Sequence, residues 1–201
     1  PTMKIPFSLC LALTSIAAAD VRLPGLFSDH MVLQRDKPLA VWGSADAGEK
    51  VSVGLAEQTA TTTADASGSW SVKLEALPAG GPHEMTVTAN NTLTFRDVLV
   101  GDVWLCSGQS NMQWPLKNAT NGDAEVAAAI HPRLRLMTIK PTTSLTPLLD
   151  PPTAGWLECN PENAGPFSAV GYFFGQHLLK SQDVPVGLIN ASWGGTVCEA
   201  W

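Results

Sequence analysis

The sequence predicts two domains of different fold class: an antiparallel β-sandwich over residues 20–97 and a parallel α/β domain over residues 98–201. Short stretches that alternate apolar and polar side chains, separated by turn residues, fill the first part and are typical of antiparallel strands. Nearly continuous apolar stretches alternate with helical segments in the second part, which favours a parallel sheet. The 17 glycines and 15 prolines imply many turns and argue against a helical bundle.

Composition excludes some functions before any motif is considered. Of the 201 residues, 45% are hydrophobic, which supplies a core, and 15% are charged, which argues against intrinsic disorder. The 12 basic and 18 acidic residues give a net charge of −6. Because no cluster of lysines and arginines matches a phosphate backbone, we expect no nucleic-acid partner.

The first 19 residues have the composition of a secretory signal peptide. Lys4 precedes an uncharged apolar stretch at 5–16, and three alanines at 17–19 form a small-residue cleavage site. We therefore predict cleavage after Ala19 and a secreted or periplasmic protein that has no membrane contact after cleavage. The alternative is a buried N-terminal strand or helix, since the apolar stretch is shorter than the ~20 residues that span a bilayer.

In the first domain, the strands are predicted from alternation and from the turns between them. Val51, Val53 and Leu55 place apolar side chains on one face, and Met85 and Val87 do the same later in the chain. The six predicted strands cover residues 39–43, 50–56, 59–65, 70–75, 84–90 and 92–96. This part contains no cluster of catalytic residue types.

The second domain is predicted as three parallel strands with helices between them. The strands cover residues 98–106, 134–139 and 186–191, the helices 123–130 and 167–181, and a proline-rich loop 141–152. The chain stops soon after the third strand, so that strand is expected to lie at an exposed sheet edge. This predicts a truncated domain in which Val186, Leu188 and Ile189 face solvent or a partner.

Three cysteines remain after the predicted leader: Cys106, Cys159 and Cys198. An odd number allows at most one internal disulfide, and the sequence leaves its pairing open. Neither CxxC nor HExxH occurs, so the spacing predicts no metal site and no cofactor. We interpret these cysteines as small buried hydrophobic residues.

Two loops at the predicted carboxyl ends of strands are candidates for chemistry, since that is where open α/β sheets place reactive groups. One contains Ser110 and the other contains Gly194 and Gly195. The spacing alone is weak, because serines beside glycines are mostly turn residues and Met112 breaks the G-x-S-x-G elbow. A phosphate site is excluded because the chain has no Walker lysine and no G-x-G-x-x-G run.

Longer sequence motifs in these regions are more specific for one family than the spacing of single residues. VWLCSGQSNMQW at 103–114 resembles the nucleophile block of the sialate O-acetylesterase family, within the SGNH (GDSL-like) hydrolases. GYFFG at 171–175, VGLINASWGGT at 186–196 and EAW at 199–201 are similar to that family's second block. LPGLFSDHMVLQR at 23–35 is similar to the start of its N-terminal β-domain.

The resemblance implies serine-catalysed hydrolysis of sugar acetyl esters, on a flavodoxin-like SGNH domain of which this chain holds the N-terminal part. Ser110 matches the nucleophile, and the oxyanion hole falls to the N–H groups of Ser110, Gly194 and Gly195. We take the remaining loop residues as candidates for substrate binding; they are Gln109, Asn111 and Trp193. The implied partner is an acetylated carbohydrate.

The catalytic base is missing from the sequence. The resemblance places it in an Asp-x-x-His string far downstream, which does not occur here, and His30, His83, His131 and His177 are expected to be structural or solvent-facing. We therefore expect this chain alone to be inactive. Two alternatives stay open. One is an esterase acting on xylan or another glycan. The other is a non-catalytic sugar-binding or structural β-module, in which the tryptophans that could stack on sugars are Trp42, Trp70, Trp104, Trp114 and Trp193.

Overall fold

The computed structural model describes residues 20–197. The predicted leader lies outside this part of the chain, as do Cys198 and the EAW string at 199–201. Between residues 20 and 197, no helix is long and apolar enough to cross a membrane.

The first half of this part contains strands that belong to two sheets. In chain order they are β1 (Val32–Gln34), β2 (Leu39–Ser44), β3 (Lys50–Leu55), β4 (Gln58–Thr63), β5 (Ser69–Leu74) and β6 (Gly80–Thr88). β2 and β5 pair antiparallel as a small separate sheet, while β4, β3 and β6 are antiparallel neighbours in a larger one. The predicted segments locate β2 to β6 within a few residues; β1, at three residues, was too short to predict.

One 17-residue strand, β7 (Thr92–Gly108), replaces the two separate strands predicted at 92–96 and 98–106. Its first part is antiparallel to β6, and its last seven residues are parallel to β10 (Val186–Ser192). Asp97 has a φ of +55°, and the register with β6 shifts around it, as in a β-bulge. The predicted boundary at residue 97 thus falls on a bulge inside a shared strand, and the division into two domains stays a prediction.

The large sheet has the order β4-β3-β6-β7-β10-β8-β9, with β1 paired to β7. β8 (His131–Ile139) is parallel to β10, and β9 (Thr153–Cys159) is antiparallel to β8. The expectation that the last strand is an edge was wrong. β10 inserts between β7 and β8, so Val186 and Leu188 are fully buried and Ile189 is half-buried.

The exposed strand edges of the second half are found elsewhere. β9 forms one edge, and the sequence did not predict it because Gly155 and Glu158 interrupt its apolar pattern. The other is the end of β7, whose residues from 104 to 108 pair only with β10 among the described residues. Leu105 on that edge is 67% exposed.

Helices connect the strands of the second half. They are α1 (Ser110–Gln113), a 3₁₀ turn (Leu116–Asn118), α2 (Gly122–Ala128), α3 (Pro161–Ala164) and α4 (Ala169–Gln182). The hydroxyl of Ser168 caps α4 by accepting a hydrogen bond from the N–H of Gly171 at 3.1 Å. α2 and α4 match the two predicted helices closely, because both have clear helical composition or period.

Two hydrophobic clusters hold this arrangement together. One contains side chains of the small sheet, such as Val41 and Trp70, with those of β3, β6 and β7. The other lies between α4 and the parallel strands and includes Tyr172, Leu134 and Leu188. The fold is therefore mixed α/β, with one large mixed sheet and a separate two-stranded sheet. The finer description, a sandwich followed by an incomplete flavodoxin-like domain, stays a prediction.

Candidate active site

The two candidate loops lie side by side because their strands, β7 and β10, are parallel neighbours that end at the same level. Ser192 at the end of β10 is level with Gly108 at the end of β7. The N–H of Trp193 then donates to the carbonyl of Gly108 at 2.9 Å, so pairing continues beyond the strand ends. This brings Ser110 and the Trp193–Thr196 segment, which begins 83 residues later in the sequence, to the same edge of the sheet.

Ser110 is exposed and is the first residue of α1, immediately after the turn at Gly108 and Gln109. Gly108 has a φ of +139°, a conformation that favours glycine and turns the chain sharply from strand to helix. A side chain at Gly194 would lie 3.2 Å from Cα and 3.3 Å from Cβ of Ser110. The two predicted halves of the site are therefore adjacent, and the absence of a side chain at Gly194 avoids crowding against Ser110.

The two glycines differ in what their N–H groups do. The N–H of Gly194 donates to Oε1 of Gln113 at 2.8 Å. Gly195 has a φ of +79°, and the position of its absent Cβ has no atom within 4 Å. Sequence reasoning did not predict a role for Gln113. The only available signal was a polar residue three positions after Ser110, on the same face of a short helix.

The three residues proposed for substrate binding are placed differently. Nε2 of Gln109 donates to the carbonyl of Thr196 at 2.6 Å, so its amide supports the glycine loop. Asn111 is exposed on α1. Trp193 is half-buried and lines a cavity beside the loop. Of these, Trp193 is best placed to touch a ligand.

This cavity, of about 730 Å³, opens at the carboxyl ends of β8 and β10. Its walls are the ends of both strands, the Trp193–Thr196 segment and the loop that follows β8; the polar lining from that loop comes from Lys140, Thr142, Thr143, Ser144 and Thr146. Ser110 does not line the cavity but packs against the same glycine loop. The volume lies within the range of small-molecule sites.

None of the four histidines forms a hydrogen bond with Ser110 in the described part of the chain. Nδ1 of His30 is 2.7 Å from Asp97, His83 lies in β6, and His177 is exposed on α4. His131 was expected near a helix end, but it begins β8, because the Pro132 that follows is compatible with the start of a strand. This is the amino end of the parallel strands, the opposite edge from Ser110.

His131 packs into the α4 face of the sheet. Its Nε2 lies 3.3 Å from the hydroxyl of Tyr172 and 3.2 Å from Nε2 of Gln176. Burial, and to a lesser degree the charge of Lys180, lower the pKa of His131. A neutral imidazole within such a network fits a structural role.

Two cysteines are buried in the core, Cys106 near the end of β7 and Cys159 opposite His131. Cys106 and Cys159 are free thiols in the second cluster, which agrees with their interpretation as small hydrophobic residues. Burial raises the pKa of both thiols, that of Cys159 to about 12. Neither is a reactive thiolate at neutral pH.

A second polar cluster lies away from Ser110. His30, Asp97 and Glu158 bring three potential ligand atoms within 4.8 Å of one another. The guanidinium of Arg135, however, is 2.5 Å from Asp97 and 3.7 Å from Glu158, and it is buried. A cation already neutralises these carboxylates, so the cluster fits an ion-pair network better than a metal site.

The sequence profile of the family described as "Carbohydrate esterase, sialic acid-specific acetylesterase" matches residues 100–201, which is half of the chain. The chain belongs to this family. Curated sialate O-acetylesterases from Pongo abelii and Homo sapiens are 36% and 35% identical over 92% of this chain, which covers 39% of each relative. The crystal structure of a carbohydrate acetylesterase from Xanthomonas citri is 44% identical, with a TM-score of 0.89 over 90% of this chain and 42% of that one.

Membership of the sialic acid-specific acetylesterase family confirms the resemblance inferred from the strings around Ser110 and Gly194. The similarity extends beyond the profile match, since the relatives also cover the N-terminal strands. The chain spans about two fifths of the length of the relatives it matches.

Proposed function

We propose that this chain carries the nucleophile half of an exported carbohydrate O-acetylesterase that removes acetyl groups from sialic acid. The proposal depends above all on one observation: Ser110 is exposed and lies beside Gly194 where two parallel strands end, so that a Cβ on Gly194 would be 3.2 Å from Cα of Ser110. Family membership supports the reaction class. Export, to the periplasm or outside the cell, rests on the composition of residues 1–19.

In the proposed reaction, Oγ of Ser110 attacks the carbonyl carbon of the acetyl group while a base takes the serine proton. The carbonyl oxygen becomes negative and is stabilised by N–H groups of Ser110 and of the glycine loop. The tetrahedral intermediate then releases the sugar hydroxyl, and water hydrolyses the acetyl-serine. Trp193, with Gln109 and Asn111 nearby, would help hold the sugar.

The base is the part that this chain does not supply at Ser110. A free serine hydroxyl is a poor nucleophile at neutral pH, and the histidines of the described residues are bonded elsewhere or lie on other elements. We therefore propose that the 201-residue chain alone hydrolyses esters weakly or not at all. A longer protein containing the family's Asp-x-x-His would be active.

The cavity beside the loop supports a sugar as the substrate. Trp193 offers an aromatic face, while Lys140 and the hydroxyls of the same wall offer hydrogen-bond donors. The family description favours sialic acid, whose carboxylate suits a cationic side chain. A wider glycan specificity, which would include acetylated xylan, is the second candidate, because the Xanthomonas citri relative is described only as a carbohydrate acetylesterase.

The test replaces the matched part of the Xanthomonas citri acetylesterase with residues 20–201, so that the rest of that enzyme is present. Hydrolysis of 4-nitrophenyl acetate by this chimera is expected to fall roughly a thousandfold or more in Ser110→Ala, because binding and oxyanion donors alone remain. The matched control is Ser107→Ala, an exposed serine at the end of the same strand.

A Ser110→Ala chimera with more than a tenth of the parental rate would contradict the proposal, as would an equal loss in Ser107→Ala. The isolated chain is assayed alongside. If it hydrolysed the ester at an ordinary enzymatic rate, and lost that activity in His131→Ala or His177→Ala, the base would lie within this chain.

A further inference from the structure

The contact between Gln113 and Gly194 assigns a role to a residue that the resemblance left without one. Oε1 of Gln113 accepts the Gly194 N–H at 2.8 Å, and the two residues are 81 positions apart. Gln113 ends the four-residue helix that begins with Ser110, so both side chains belong to one rigid turn. The bond therefore connects the turn that carries the candidate nucleophile directly to the glycine loop.

The approach is close enough for the bond to determine the position of the loop. A Cβ on Gly194 would lie 2.7 Å from Oε1 of Gln113 and 3.2 Å from Cα of Ser110. Other hydrogen bonds join the ends of the loop: the N–H of Trp193 donates to Gly108, Gln109 donates to the carbonyl of Thr196, and the hydroxyl of Thr196 donates to the carbonyl of Trp193. The exposed side chain of Gln113 bonds the middle of the loop, where the two glycines lie.

The hydrogen bond between Gly194 and Gln113 gives Gly194 and Gly195 different roles. An N–H that donates to an amide oxygen at 2.8 Å is not available to an oxyanion without losing that bond. Among the described residues no hydrogen bond from the Gly195 N–H is found, and the space where a Cβ would stand on Gly195 is open. The Gly195 N–H is therefore a donor that this loop can offer without breaking a bond.

We infer that Gln113 is a positioning residue that holds the Gly194 N–H and so presents the Gly195 N–H, rather than that of Gly194, to the oxyanion formed at Ser110. The inference rests on the proposed esterase function but can be tested separately from it. The bond from Gly194 to Gln113 is measurable in the chain itself, without a catalytic base, and the choice of donor is measurable in the chimera, which contains the base.

The first measurement is solvent exchange of the Gly194 amide, followed by NMR of the ¹⁵N-labelled chain. Gln113→Ala is expected to speed this exchange at least tenfold, because the acceptor is lost. Gln113→Glu keeps an oxygen at the same position and is expected to keep the exchange slow. The control is Gln58→Ala, which removes an equivalent amide bond of 2.8 Å to the N–H of Glu75 in the other half of the chain.

The second measurement uses methylboronic acid on the ¹⁵N-labelled chimera as a mimic of the tetrahedral intermediate. Its boron accepts an electron pair from Oγ of Ser110, a B–O bond forms, and the serine proton passes to the base supplied by the rest of the Xanthomonas citri acetylesterase, leaving an anionic tetrahedral boronate. We expect the adduct to shift the amide resonance of Gly195 far more than that of Gly194. Gln113→Ala should weaken the affinity at least tenfold, while Gln58→Ala leaves it unchanged.

Unchanged exchange at Gly194 in Gln113→Ala would overturn the positioning role, as would an unchanged boronate affinity. A larger shift at Gly194 than at Gly195 would overturn the assignment of the donor. If the wild-type chimera formed no adduct that depends on Ser110, the proposed esterase site would fail. The exchange experiment would still decide whether Gln113 holds the loop.

Discussion

At the scale of single residues, Gly194 and Gly195 are adjacent and chemically identical, yet each is required for a different reason. Gly194 lacks a side chain so that its backbone can approach Ser110. Gly195 has room for a side chain but a φ of +79°. The string around these residues predicted their importance, but their different roles follow from Gln113. Its bond spans 81 residues, and no local pattern in the sequence predicts such a contact.

The first prediction concerns Gly195. In the chimera, Gly195→Val is expected to lower kcat by roughly a hundredfold or more with a smaller effect on KM, because the donor acts on an oxygen that is charged only in the transition state. Gly48→Val is the matched control, since Gly48 shares the φ of +79° and the open surroundings but lies far from the site. An effect on KM alone, or an equal loss of kcat in both variants, would refute the role in catalysis.

At the scale of elements, local patterns predicted most of the strands and both long helices. Alternation predicted β3 because its apolar face is buried, and the helical period predicted α4. β10 also lies where the sequence predicted a strand. Its neighbours could not be predicted from the order of the strands along the chain, because the chain returns through α4 and β10 inserts between β7 and β8. Which strands pair depends on contacts between distant segments, and these are absent from any short window of sequence.

The second prediction tests how α4 packs on that insertion. A Cβ on Gly175 would lie 2.7 Å from Leu188 and 2.8 Å from Leu134, so Gly175→Ala should lower the free energy of unfolding by about 1–3 kcal/mol through overpacking. Gly165→Ala is the control, because its Cβ would make only ordinary contacts and its φ is −53°. Denaturant unfolding of the chain measures both, and a Gly175→Ala variant as stable as Gly165→Ala would show that the helix can shift away.

At the scale of the whole molecule, Asp97 and Arg135 connect the two halves of the chain. Asp97 sits on the bulge of the shared strand and bonds His30, which precedes β1, and Arg135, which lies in β8. Arg135 is 3% exposed, so its buried guanidinium needs the carboxylate of Asp97 as a partner. The change in composition at Asp97 predicted a boundary between two domains there. The sequence does not show that Asp97 also joins the two halves, because its partners His30 and Arg135 lie 67 and 38 residues away.

The last prediction is that the stability of the fold varies with pH because of the carboxylate of Asp97 and its bonds to Arg135 and His30. Burial alone would raise the pKa of Asp97, but the hydrogen bonds and charges of Arg135 and His30 outweigh it and lower the pKa. The bonded carboxylate therefore stabilises the fold fully above its unfolded pKa, near 3.9, and this contribution is lost as the pH falls through the lower folded value. Asp97→Asn tolerates the positive φ and should cost about 1.5–3 kcal/mol at pH 7.

Urea unfolding from pH 7 to pH 2 tests this. Below about pH 4 the wild-type chain should lose stability more steeply than Asp97→Asn, because asparagine has no proton to bind. Glu158 faces the same guanidinium from 3.7 Å and is about half exposed, so Glu158→Gln serves as the matched control and should keep most of the wild-type slope. Equal slopes in the wild type and Asp97→Asn would mean that the loss at low pH arises from other carboxylates, and that the junction at Asp97 does not hold the two halves together.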